Sequence, residues 1–314
     1  MLIFYILVFI VSSLLLAFSG SLVVDSLVGV ARHLKWREFV VGFVIMSLAT
    51  SMPNFFVGLT SALRGIPELS FGDVIGGNVV DLTLVIALAT LFAGGISTQS
   101  RMVQASSLFT LGIAVLPLLL SWDGNLNRAD GLVLIGAFFA YAFWLFSSEE
   151  RFRKAWRGRE KKNGFTKNLL LLTVGLILLV LGSQGVVSSA LFFAENFGLS
   201  LGLIGLLIVG LGNCLPEMYF GVVSAKKGES WLVLGNLMGS VITGATLVLG
   251  TVVLIRPIEI LDPSPYLLAR AFLVVAALFF LLSVKTDRQI SKKEAVFLLG
   301  IYLVFILSES LFWR

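Results

Sequence analysis

The chain has 314 residues, of which 58% are hydrophobic and 13% charged, and its mean hydropathy is +1.00. Soluble domains run about half apolar and about a quarter charged, so this composition excludes one and marks an integral membrane protein. The net charge of +5 is read loop by loop as an orientation signal rather than as affinity for nucleic acid, and a lone Cys214 excludes an intrachain disulfide framework.

A helix needs about 20 apolar residues to cross a bilayer. The sequence predicts ten such spans: residues 2–31, 37–63, 69–95, 102–121, 129–147, 168–194, 200–225, 231–255, 265–284 and 294–312. No basic residue precedes the apolar run "MLIFYILVFIVSSLLLAFSG", so it reads as a retained first span and not a cleaved signal. Asp25 and Glu38 fall near span ends, where they reach water. The one clearly soluble stretch, "SSEERFRKAWRGREKKNG", divides the chain into a first five-helix repeat (1–147), a basic linker (148–167) and a second five-helix repeat (168–314).

If that linker is cytoplasmic, alternation puts eighteen Lys and Arg residues on its side. Five, Arg64, Arg128, Arg256, Arg270 and Arg314, fall on the other. Without the linker the bias is still ten to five, which agrees with the positive-inside rule. The expectation is a multi-pass protein of the cell membrane with both termini extracytoplasmic and the linker touching anionic headgroups.

The two halves resemble each other. Shifted by 163 residues, "VVGFVIMSLATSMPNFFVGLTSALRGIPELSFGDVIGGNVVDLTLV" lies without a gap on "LIGLLIVGLGNCLPEMYFGVVSAKKGESWLVLGNLMGSVITGATLV". Gly42/Gly205, Pro53/Pro216, Gly58/Gly221, Gly65/Gly228, Gly72/Gly235, Gly76/Gly239 and Thr83/Thr246 coincide. Apolar residues match by chance in any two spans, but glycines and prolines in one register do not. An odd number of spans per half gives the halves opposite orientations, an inverted repeat.

Proline in a helix interior removes a hydrogen bond and clashes with the carbonyl four residues earlier. Pro53 and Pro216 therefore free carbonyls near Ala49 and Gly212, at mid-span, and Glu217 sits beside the second proline. Bare carbonyls and a carboxylate are both costly in hydrocarbon unless something binds them, and together they are the oxygen ligands a hard cation takes. The partner segments "FGDVIGGNVVDLT" and "LGNLMGSVITGAT" are glycine-punctuated and place Asp81 at similar depth. Spans 2, 3, 7 and 8 are expected to meet near the midplane, each interrupted and lining a small polar cavity. Asp73 is expected to cap the inner part of a broken helix, as Asn236 would in the other half. Cys214 reads equally as a buried thiol or a site residue.

These segments resemble the two repeats of the calcium/cation antiporter superfamily, the sodium/calcium exchanger-like proteins, whose pattern is approximately G-T-S-x-P-E followed by G-N-x-x-G-S-N-x-x-[ND]. Here they read "ATSMPN" with "GDVIGGNVVD" and "GNCLPE" with "GNLMGSVITG". The resemblance covers nearly the whole chain and implies an all-α fold of ten transmembrane helices in two inverted five-helix repeats around a mid-membrane cation site. It also implies that spans 1 and 6 lie outside the core and slide against it.

The departures are specific. Asn54 replaces the first glutamate, Asp81 stands where asparagine is frequent, Gly244 replaces the last Asn or Asp, and Asn213 and Cys214 stand where Thr and Ser are usual. The implied ligands are Asp81 and Glu217, with Thr50, Ser51, Asn54, Asn213, Ser240 and carbonyls around Ser47, Gly77 and Gly210 completing the shell. Two carboxylates balance one divalent ion, so the reading is a Ca2+ antiporter working against Na+ or H+ by alternating access. The alternatives are the same fold carrying Mg2+ or Mn2+, or a sensor or scaffold with a decayed site. With His33 the only histidine and no catalytic cluster, no enzyme is expected. Nor is a cofactor, a nucleic acid or an obligatory protein partner; the partners are small cations and lipid.

Overall fold

The computed structural model describes residues 1–33, 50–147, 164–260 and 264–312, and the chain there is nearly all helix. The helices are α1 (Leu2–His33), α2 (Met52–Leu63), α3 (Glu68–Ala93), α4 (Arg101–Leu120), α5 (Arg128–Ser147), α6 (Phe165–Phe197), α7 (Leu201–Lys226), α8 (Ser230–Ile255), α9 (Ser264–Lys285) and α10 (Lys292–Phe312). Among the described residues eight helices, all but α2 and α10, are long and apolar enough to cross a membrane. The second predicted span falls partly outside the described residues. The tenth is α10, 21 residues long, which opens on Lys292, Lys293 and Glu294.

The repeat survives in local geometry. In both α2 and the Leu215–Lys226 part of α7 a proline occupies the first turn, where its missing N–H breaks no bond. Both segments end on a left-handed glycine, Gly65 at φ +78° and Gly228 at +77°. There Ile66 N donates to Ser61 O, and Glu229 N donates to Ser224 O. Only glycine adopts that backbone at little cost, so it turns the chain sharply into α3 and into α8.

Spans 3 and 8 were expected to be interrupted, and they are not. Each runs through, widening for one turn into π-helix at equivalent places, Asp81–Val85 in α3 and Gly244–Val248 in α8. The reason is chemical: neither span holds a proline, and glycine alone lets a packed helix continue. Within these turns Thr83 and Thr246 donate back to the Val79 and Ile242 carbonyls.

Four central helices, α2, α3, α7 and α8, are wrapped by α4, α5, α9 and α10. α10 packs on the end of α3 as α5 packs on the end of α8, and α9 packs on α3 as α4 does on α8. Two short antiparallel ladders join the halves. β1 (Ile96–Ser97) pairs with β4 (Gln289–Ile290), and β2 (Asn125–Leu126) with β3 (Ile258–Glu259). Because the 20-residue α4 separates β1 from β2, the halves are stitched at both ends of the bundle.

Helices α1 and α6 form an antiparallel pair on the outside. Gly175, Gly182 and Gly185 of α6 lie against Val23, Leu16 and Ser12 of α1. The pair meets the centre through its own apolar cluster, in which Leu16, Val23, Leu179 and Val186 pack with Val57, Leu69, Ile204 and Val209. Three hydrogen bonds cross the same seam. Thr60 and Ser183 hydroxyls lie 2.8 Å apart, and Arg64 Nη1 donates to Ser188 Oγ at 2.9 Å while Nη2 donates to Gln184 Oε1. Outward faces carry Phe4, Leu7, Val11, Phe18, Leu170 and Ile177, as lipid contact requires.

The tightest approach is α3 on α7. A Cβ on Gly72 would enter the Gly202 carbonyl, one on Gly76 the Leu206 carbonyl, and one on Gly205 the Leu69 carbonyl. Each would meet rigid backbone rather than a yielding side chain. Gly76→Ala is therefore expected to lower the thermal midpoint of the purified protein by several degrees, overpacking of this kind costing about 1–3 kcal/mol. Gly112→Ala on α4, whose Cβ meets nothing within 4 Å, should leave it unchanged or raise it. Detergent thermal unfolding of both variants checks this.

Candidate functional site

The site grows from one break in α7. Pro216 has no N–H for the Gly212 carbonyl, and the chain passes through a non-helical joint at Cys214 before the helix resumes at Leu215. Glu217 lies in the first turn of that resumed helix, at its positive end, which favours a carboxylate. Asn54 holds the same place in α2, beside Pro53.

Across the glycine contact, α3 presents Asp73, Gly77 and Asp81 on one face, each a turn from the next. Asn213 Nδ2 donates to both Asp73 oxygens, at 3.1 Å to Oδ1 and 3.0 Å to Oδ2. Cys214 Sγ donates to Gly77 O at 3.5 Å and faces the Asp81 carboxylate. Ser240 of α8 faces Asp81 and donates to Glu217 Oε1 at 3.4 Å, so it stands between the two acids. Asp81 and Glu217 lie close enough to repel each other directly. The expected ligands of α3, α7 and α8 are therefore brought together.

Burial makes this assembly costly. Asp73, Asp81 and Glu217 are exposed by 1%, 2% and 1%, and among the described residues no Lys or Arg pairs with any of them. Asn54 Oδ1, Asp81 Oδ1 and Glu217 Oε2 are buried without a hydrogen-bond partner. A buried charge or acceptor left this way in a native fold calls for an ion or water to complete it. Among the described residues no three His, Cys, Asp or Glu side chains converge to grip a resident metal. The donor set is two anionic groups among neutral oxygens, which suits a hard cation held in passing.

The remaining predicted residues fall as follows. Ser51 is buried and Thr50 half-buried at the start of α2, and Ser47 lies outside the described residues, as do Glu38 and Ala49. The Gly210 carbonyl accepts from Cys214 N at 3.2 Å, which leaves it one further lone pair, whereas the Gly77 carbonyl already accepts from both Cys214 Sγ and the Asp81 N–H. Gly244 occupies the place of Asp81 in α8, with the Asn78 side chain 3.7 Å from where its Cβ would be. Asp73 is corrected: it lies within an unbroken helix, and its carboxylate reaches across to Asn213 instead of capping a helix end. The trace of this in the sequence is that Asp73 and Asn213 both depart from the family pattern, and at facing positions.

The comparisons with known proteins agree with this architecture. A family model described as sodium/calcium exchanger protein matches the chain twice, over residues 4–147 and 167–310. Inner membrane protein YrbG of Escherichia coli is 28% identical, the alignment covering 97% of this chain and 95% of that protein. A putative antiporter, CaxA, of Alkalimonas amylolytica is 29% identical over 79% of each. A solved structure of the sodium-calcium exchanger NCX_Mj, soaked with Na+ and Sr2+, superposes with a TM-score of 0.68 at 25% identity, covering 98% of this chain and 99% of that one. On the double family match and the shared fold, the chain belongs to the sodium/calcium exchanger protein family, a family of membrane cation antiporters.

Proposed function

We propose that the protein exchanges Ca2+ against Na+ or H+ across the cell membrane by alternating access. The observation that carries this is the pair Asp81 and Glu217, deep in the bundle, without a cationic partner among the described residues, and bridged by Ser240. Two carboxylates match the charge of one divalent ion, and attraction across a poorly hydrated gap replaces the ion's lost water. Asn54, Thr50, Ser51, Asn213, Ser240 and the Ser47, Gly77 and Gly210 carbonyls supply neutral oxygens toward the number Ca2+ takes. After the divalent ion leaves, protons or sodium ions take its place on the acids, because an empty pair of buried carboxylates is too costly to carry across. That requirement couples the two fluxes.

The outer pair α1 and α6 supplies the moving part in this reading. It meets the centre through an apolar cluster and three hydrogen bonds, a seam that can slide without exposing the acids to lipid. The first repeat (1–147), the basic linker (148–167) and the second repeat (168–314) form the inverted halves, with the linker cytoplasmic and both termini outside. The absence of a side-chain oxygen at Gly244 favours few co-bound sodium ions over several. It also motivates Mg2+ and Mn2+ as competing cargo.

In proteoliposomes, Glu217→Gln and Asp81→Asn are each expected to abolish Ca2+ uptake driven by an opposing gradient, whereas wild-type flux in both variants would refute the proposal. Running the same vesicles with a Na+ gradient, then with a pH gradient, identifies the counter-ion by which one drives uptake. Mg2+ or Mn2+ blocking Ca2+ entry at equal concentration would assign the cargo more widely.

Orientation has its own check. In a Cys214→Ser background, Ser148→Cys is expected to react with a membrane-impermeant maleimide only from the cytoplasmic side. Labelling of intact cells from outside would invert the assignment.

A further inference from the structure

Asp73 is a carboxylate buried beside the proposed site that the exchange leaves unused. It shares an α3 face with Gly77 and Asp81, and both its oxygens accept from Asn213 Nδ2. A carboxylate offers an amide only acceptors, so this contact settles which way the Asn213 side chain is turned: the nitrogen toward Asp73, Oδ1 away from it. Oδ1 accepts no hydrogen bond among the described residues. Asn213 closes the helical turn before the Cys214 joint, one turn ahead of Glu217.

A free asparagine turns about its last torsion between two nearly equivalent orientations, presenting oxygen in one and NH2 in the other. Only the first attracts a cation. The geometry points to Asp73 as a positioning residue for cation binding: by taking the NH2 of Asn213 it keeps Oδ1 as a ready ligand beside the acids. The role is confined to one half of the chain, since the equivalent positions in the other repeat hold Asn236 and Thr50, without a carboxylate. This inference rests on Asn213 being a ligand of the proposed site.

A double-variant cycle tests it, read by CaCl2 titration calorimetry of the purified full chain and by initial rates of Ca2+ uptake in proteoliposomes. Asp73→Leu is expected to raise the half-saturating Ca2+ concentration about tenfold, the cost of losing an oriented polar contact, while the maximal rate stays within about twofold. Asp73→Asn, which keeps one acceptor and guards against a folding defect, should recover most of that loss. In an Asn213→Ala background, Asp73→Leu should cost nothing further, because the group it positions is gone. Unchanged half-saturation in Asp73→Leu overturns the role, and so does a full additional loss in the Asn213→Ala background. If wild type itself binds no Ca2+, the proposed exchange fails and takes this inference with it. If wild type binds while Asp73→Leu binds equally well, only this inference fails.

Discussion

Everything in the centre of the molecule depends on how closely two backbones approach. At Gly72 and Gly76 of α3, and at Gly205 and Gly210 of α7, there is no room for a side chain, and the two backbones touch directly. Hydrocarbon gives helices no hydrophobic reason to associate, so contact area and close packing must hold them together. That contact also aligns two ladders of polar groups. Asp73 faces Asn213, Gly77 faces Cys214, and Asp81 reaches Glu217 through Ser240. Larger residues at the glycines would move α3 outward and pull the two acids apart, so the packing motif and the polar site are one construction.

The acids in turn explain why the bundle is built as two layers of helices. A carboxylate at the depth of Asp81 is tolerable only when shielded from lipid on all sides. The eight helices of the two inner layers share one continuous apolar cluster, in which Phe71, Ile75, Leu237 and Val241 surround the polar ladder. The crossed β-ladders tie each half to the other at its ends. The α1–α6 pair stands outside this arrangement, meeting the centre through its own apolar cluster, with Phe9 and Ser13 of α1 packed at Gly212 beside the break in α7.

Much of this was legible in the sequence because membranes restrict the options. Apolar length located the helices, and the described helix ends fall within a few residues of the predicted ones. The 163-residue register paired the prolines and glycines of the two halves, and the structure adds that Gly65 and Gly228 are the left-handed ends of equivalent segments. The π turns were not legible. They depend on an extra residue being absorbed within a helix, and Asp81-Leu82-Thr83 and Gly244-Ala245-Thr246 carry no composition that distinguishes this from an ordinary turn. Asp73 was misread for a related reason: an acid after glycine resembles a helix start, and only the continuity of α3 reveals a side chain free to bond elsewhere. Cys214 had two open readings, and its thiol proves to lie between Gly77 and Asp81. The ladders, two residues per strand, are too short to leave any periodicity.

The two halves share a backbone plan but not its chemistry: one π turn opens on Asp81 and the other on Gly244, and one proline is followed by Asn54 and the other by Glu217. In an inverted repeat, reversing the direction of opening exchanges the parts played by the halves. A homogeneous pair would present the same mouth to either compartment. Under the proposed exchange, acids placed on different helices in each half make the two mouths chemically unlike, so half-saturation measured from one compartment need not equal that from the other, even though the overall equilibrium of exchange is set by the gradients alone.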